Sequence, residues 1–219
     1  MPIIASDKGG SDFEPIPAGS HQAVCYGVVD LGTQMSNNPQ FADARKVCIL
    51  WELPQERGQF KDKNDPSKTV DKPRAISAVY TLSLGDKANL RKVLESWRAK
   101  QFTREELSGF DITKLIGANC MLSVVHKPGS GKNSGKTYAN VASVSALPKG
   151  MTKANLENEK LLFSLSDMDG GEPSFPANLP EWLRTLINQS KEMSDRHTQE
   201  QPAPASTVSQ ENLDEDVPF

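Results

Sequence analysis

Between residues 20 and 150 the apolar positions recur mostly with period two, and one stretch breaks to a helical period. HQAVCYGVVDL (21–31) alternates small and apolar residues, RKVCILWEL (45–53) is apolar on both faces, and AISAVYTLSL (75–84) alternates again. These runs predict three strands. The polar, proline-bounded stretch PQERGQFKDKNDPSKTVDKPR (54–74) predicts a long loop between the second and third. Leu90, Val93, Leu94 and Trp97 then fall at helical spacing, with Asp86 placed to cap the helix. Thr103 to Glu106 spells a capping box for a further short turn. Strand character returns in ANCMLSVVHK (118–127) and TYANVASVSAL (137–147).

The expected class is therefore mainly β with α, in the order β-β-β-α-β-β. Alternating strands and helices would predict a parallel doubly wound sheet. The order found is that of the OB-fold, a five-stranded Greek-key barrel that binds single strands. Residues 1–19, rich in Gly, Pro and Asp, read as an irregular N-terminal arm. Residues 20–150 form the OB-fold-like domain, and 151–193 a linker and amphipathic helix. In that helix Leu179, Trp182, Leu183, Leu186 and Ile187 share a face, Asn178 caps and Pro180 suits the first turn. Its apolar face is expected to pack on the barrel, with an interface as the alternative. Residues 194–219 hold Gln, Ser, Pro and acids with almost nothing apolar, the composition of a disordered acidic tail.

Net charge is −3, yet five acids and no base lie in residues 200–219. Without them 25 basic residues face 23 acidic ones, so the body is +2. No run approaches ~18 apolar residues and no leader opens the chain, so neither a membrane span nor a signal peptide is expected, and a cytoplasmic setting follows. Cys25, Cys48 and Cys120 sit singly inside apolar runs and read as buried free thiols. His21, His126 and His197 form no ligand set. Neither a metal, a cofactor nor a catalytic constellation is expected, and the chain reads as a non-enzyme.

KPGSGKNSGKT (127–137) nearly spells a phosphate-binding loop, with Gly135, Lys136 and Thr137 in place. Ser130 stands where the first glycine belongs, and a strand rather than a helix follows Thr137. A degenerate nucleotide site is the weaker reading. The stronger one is a hairpin tip whose Lys127, Lys132 and Lys136 track a phosphate backbone. Aromatic rings on which bases could stack are Tyr26, Trp51, Tyr80 and Tyr138 in strands and Phe60 in the long loop. Tyr138 and Phe60 lead, because they adjoin basic loops, whereas Trp51 and Tyr80 share parity with core positions. Lys61, Lys63, Lys46, Lys72 and Arg74 complete the candidate contacts to single-stranded DNA.

The chain ends in NLDEDVPF. Phe219 offers a ring beside its own α-carboxylate, Pro218 lowers the ordering cost, and Asp214, Glu215 and Asp216 favour a basic surround. This ending resembles the acidic tip of bacterial single-stranded DNA-binding proteins, typically Asp-Asp-Asp-Ile-Pro-Phe, with Glu215 and Val217 as the substitutions. The lead-in PIPAGSHQAVCYGVVDLGTQ and the strand containing WELP look like phage-encoded members of that class. The resemblance implies coating of single strands in DNA replication, recombination and repair. It makes Asp214, Glu215, Asp216, Val217, Pro218 and Phe219 the contact for replication and recombination proteins. Bacterial members place the OB domain at the very N-terminus and lack the 54–74 insertion and the 179–193 helix. These departures leave their tetrameric assembly in doubt for this chain, and homo-oligomerisation stays open. An interaction module that imitates the tip without binding DNA is the other reading. The acidic tail is also expected to visit the protein's own basic groove and compete there with DNA.

Overall fold

Residues Gly19–Gln34 form one long strand, β1, from which the architecture grows. The computed structural model describes residues 14–36, 38–62, 65, 67–131, 134–165 and 174–200. β1 pairs antiparallel with β2 (Ala44–Lys61), and two register shifts leave Tyr26 and Leu31 as extra residues. Such bulges bend a strand and increase its twist. The bend lets the first half of β1 pair with β4 (Asn119–Pro128), while Val24 partners both Glu52 and Asn119. With β3 (Thr69–Thr81) and β5 (Thr137–Ser145) the order is β3-β2-β1-β4-β5, a curled antiparallel half-barrel.

Helix α1 (Asn89–Arg98), helix α2 (Arg104–Ser108) and a 3-10 turn at Ile112–Leu115 lie between β3 and β4. The five strands and the helical insertion thus follow the expected order. The capping box is present, with Thr103 accepting from the Glu106 N–H and Glu106 accepting from the Thr103 N–H. Asp86 does not cap α1; its carboxylate accepts from Arg91, and Ala88 occupies the cap.

The inner face of the half-barrel buries Cys25, Val28, Ile49, Trp51, Leu122 and Val144 against Leu90, Leu94 and Trp97 of α1. The outer face of β1 and β2 is buried as well. It packs under a short parallel strand, β6 (Leu161–Phe163), and under helices α3 (Glu181–Asn188) and α4 (Lys191–Glu200). Leu183 and Ile187 are buried there, so the amphipathic helix packs on the barrel. Trp182 turns outward instead, 46% exposed. Gly27 and Gly32 admit this covering segment. A side chain at Gly32 would lie 2.6–2.8 Å from Leu165, Ser190 and Glu192, and its φ of +68° favours glycine.

Two buried carboxylates, Glu52 and Asp30, and the half-buried Glu192 fasten the cover. Glu52, wholly buried, accepts the N–H groups of Glu157 and Asn158 at 2.7 and 2.8 Å. Asp30 accepts from Gly32, Arg45 and the Leu165 N–H, and Glu192 accepts from the Thr33 N–H and hydroxyl. Each buried acid is thus matched to donors rather than stranded.

Four expectations change. The 54–74 stretch is not a loop: beyond an irregularity at residues 54–56, Arg57–Lys61 pair with Thr69–Pro73 as an extended β-arm. Residues of a ribbon with solvent on both sides need no apolar alternation, which hides the strands from the pattern. The 179–193 helix is two helices, because Ser190 is buried and accepts the Met193 N–H, opening α4 with a cap. Pro180 is the cap of α3, and Asn178 donates to the Lys160 carbonyl instead. The helix α4 also runs to Glu200, so residues 194–200 are helical and not part of a coil. Among the described residues no helix is long and apolar enough to cross a membrane.

Glu52→Ala strips two buried N–H groups of a charged acceptor, which should cost roughly 2–4 kcal/mol in urea unfolding. Hydrogen exchange should rise first at Glu157 and Asn158. Burial pushes the Cys25 and Cys48 thiols up to about 12 and raises Cys120 as well. All three should resist a thiol reagent at pH 8 and react together only in denaturant.

Candidate nucleic-acid interface

The β2–β3 arm and the β4–β5 hairpin project from the same end of the half-barrel. β2 and β3 run past the last pairing of β1 with β2, and β4 runs past the Gly19–Val124 pair where β1 begins. On the arm Phe60, Val70, Lys72 and Arg74 share a face by strand alternation and register, with the Phe60 ring over Gly58. Lys61 takes the opposite face. Across the hairpin Lys127 pairs directly with Tyr138, and Lys136 stands just before β5.

The N-terminal segment lies between these two places. Arg74 donates to the Glu14 carbonyl at 3.0 Å, and the His126 ring nitrogen donates to the Ile16 carbonyl at 2.8 Å. Ile16 is buried in the inner core. Two extended residues span at most about 7 Å, so the Arg74 and His126 heads come within about 13 Å of each other. Arm and hairpin therefore flank one narrow strap.

Exposure and charge then separate the candidates. Phe60 and Tyr138 are 41% and 42% exposed, each offering part of a ring to solvent. Lys61, Lys72, Lys127 and Lys136 are exposed and form no ion pair among the described residues. Arg57 is committed to Asp71 and Glu157, Lys68 to Asp65, and Arg74 to the strap. Four unpaired lysines beside two exposed rings make this end the place where phosphates and bases would find partners.

Other candidates lie elsewhere. Trp51 is fully buried, its ring centroid 5.7 Å from that of Trp97, and no base reaches it. Its parity with Ile49 and Leu53 puts it inside. Tyr26 is the extra residue of the first β1 bulge and packs at the edge of the outer core. Tyr80 packs against the inner core, and burial pushes both tyrosines up to about 12. Lys46 pairs with Thr81 at the far end of β2 and, with Tyr80, lines a cavity of about 750 Å³. Lys63, Lys132 and the whole tip, Asp214 to Phe219, lie outside the described residues.

Sequence reasoning missed Phe41, which is 68% exposed in the connection between β1 and β2. A lone aromatic in the polar stretch NNPQFADA was the available signal. It also missed Lys87, which lines the same cavity as Lys46.

The glycine loop does not take phosphate-loop geometry. The Gly129 N–H donates to the Lys136 carbonyl at 2.8 Å, closing a hairpin, and Thr137 opens β5 rather than a helix. The segment that follows Lys136 is thus a strand, where a phosphate loop needs a helix N-terminus. Among the described residues no group of three His, Cys, Asp or Glu is placed to hold a metal ion.

Phe60→Ala and Tyr138→Ala should leave the melting temperature within a degree or two, as exposed side chains cost roughly 0.5 kcal/mol. Trp51→Ala should lose about 3–5 kcal/mol by emptying the inner core. The comparison is read by thermal and urea unfolding of the three variants.

No protein-family model matches this chain and no curated protein matches it, so the interface rests on its own geometry.

Proposed function

We propose that this chain binds single-stranded DNA with little regard to sequence, and that its half-barrel is an OB-type Greek key. One observation carries the reading: an exposed ring beside unpaired lysines occurs twice at one end of the half-barrel, as Phe60 with Lys72 and Tyr138 with Lys127. Stacking on such rings accepts any base, because every base has a π-face, and lysines neutralise phosphates without reading sequence. A strand crossing the strap from arm to hairpin would meet both pairs. Supporting the OB assignment are β1 pairing antiparallel with both β2 and β4 and a helix between β3 and β4.

The terminal Asp-Glu-Asp-Val-Pro-Phe would bring replication and recombination proteins to the coated strand. The sequence-independent binding and the partner-recruiting tip together describe a protein that coats and protects DNA. The reading includes no catalytic step and no cofactor.

Anisotropy of a labelled oligo-dT of about 30 nucleotides should show tight, salt-sensitive binding, with matched duplex much weaker. Phe60→Ala and Tyr138→Ala should each weaken it by about 1–3 kcal/mol. Lys72→Ala and Lys127→Ala should each lower the salt slope by about 0.7. Absence of binding to either DNA would overturn the proposal and leave the tip as the functional part of an interaction module.

A further inference from the structure

Charge is segregated along this chain beyond what the acidic tail accounts for. Residues 112–156 hold six of the 25 basic residues, all lysine, and none of the 28 acidic ones. This acid-free run supplies β4, β5 and the segment that returns from β5 toward β1.

Register turns one face of the run outward. Cys120, Leu122 and Val124 of β4 and Ala139, Val141 and Val144 of β5 point into the inner core. Alternation therefore directs Ser123, Val125 and Lys127 outward, opposite their pair partners Ser143, Asn140 and Tyr138. None of these six belongs to either core, and the cluster under α3 and α4 takes its sheet residues from β1, β2 and β6. The outer face of β4 and β5 is thus left uncovered among the described residues.

The returning segment continues this face. Gln22, paired with Met121, donates to the Thr152 carbonyl at 2.8 Å. The Asn119 side chain donates to the Ala154 carbonyl at 3.0 Å and accepts the Ala154 N–H at 2.9 Å. Lys153 is thereby fixed at the foot of β4, and Lys149 lies in the turn before it, closed by the Met151 N–H on the Pro148 carbonyl. Both lysines are exposed and form no ion pair among the described residues. Glu157, the first acid beyond them, is held by Arg57. Along β4 the rise from Asn119 to Lys127 is about 27 Å. At about 3.4 Å per stacked nucleotide, that is room for about eight.

We propose that a bound single strand continues past Tyr138 down this outer face to Lys149 and Lys153. The two lysines neutralise its phosphates, and Ser123, Ser143 and Asn140 supply hydrogen bonds on the way. Small side chains let the strand lie close to the sheet. The missing carboxylates spare it the repulsion that it meets elsewhere on a chain of net charge −3. A track of this length with a ring at one end suits a run of phosphates and bases better than a short acidic peptide. The inference rests on the DNA-binding reading and gives that site a second half.

The test titrates labelled oligo-dT of about 30 nucleotides with the full chain at two salt concentrations. It compares a Lys149→Glu, Lys153→Glu double variant with Lys92→Glu, which changes an exposed lysine of α1 on the inner side of the sheet. The double variant should lose about tenfold or more in affinity and show a shallower salt slope, with Lys92→Glu within about twofold of the unaltered chain. In a second arm, p-benzoylphenylalanine in place of Ser143 should cross-link to the oligonucleotide on irradiation. Unchanged affinity in the double variant, an equal loss in Lys92→Glu, or no cross-link from position 143 to DNA would each overturn this path and leave DNA binding itself standing. Absence of binding by the unaltered chain would overturn the DNA-binding reading and the path with it.

Discussion

Strand β1 is the constraint on which the molecule depends, because β2, β4 and β6 all hydrogen-bond to it. A strand has only two edges, so three partners require that one edge be divided. The bulge at Tyr26 makes the division: β4 holds the edge up to Val24, and β6 takes it from Gly27. The same bend turns the sheet, so that β1 and β2 bury an inner face against α1 and an outer face under the C-terminal segment. A side chain at Gly32 would collide with that segment, and one at Gly27 would press on Leu161 at 3.1 Å.

Covering the outer face decides where function can sit. Glu52, Asp30 and Glu192 are tied to backbone donors of the covering segment or of β1, so their charges work in the fold and not in recognition. The central surface of β1 and β2 is thereby closed to a ligand. What remains open is the outer face of β4 and β5 and the two ends: the arm and hairpin with unpaired lysines and exposed rings at one, and the cavity around Lys46 at the other. The proposed function assigns a polyanion to the first of these ends.

Much of the fold was legible in local pattern. The five barrel strands, α1 and the capping box at Thr103 follow from period and cap chemistry, which are local properties. The apolar-on-both-faces character of 45–53 matches a strand buried on both sides, between the inner core and the covering segment. The β-arm was not legible, since a two-stranded ribbon in water leaves no apolar period. The break at Ser190 was hidden because one face runs continuously through Leu183 and Ile187 to Met193. Of the candidate site, Tyr138 and Phe60 stand out in the sequence for adjoining basic loops, and only register places Lys127 and Lys72 on their faces. Parity with core residues had already set Trp51 lower, as its burial bears out.

By itself the sequence determined which segments extend or coil, which side chains avoid water, and where the acidic charge collects, because each depends on residues a few positions apart. Tertiary structure alone decided that arm and hairpin share an end, that Arg74 and His126 hold one strap between them, and that Lys46 faces a cavity instead of the arm. Those juxtapositions join residues tens of positions apart. They are set by how β1 bends and divides its edge, a matter of register and close approach that no local pattern encodes.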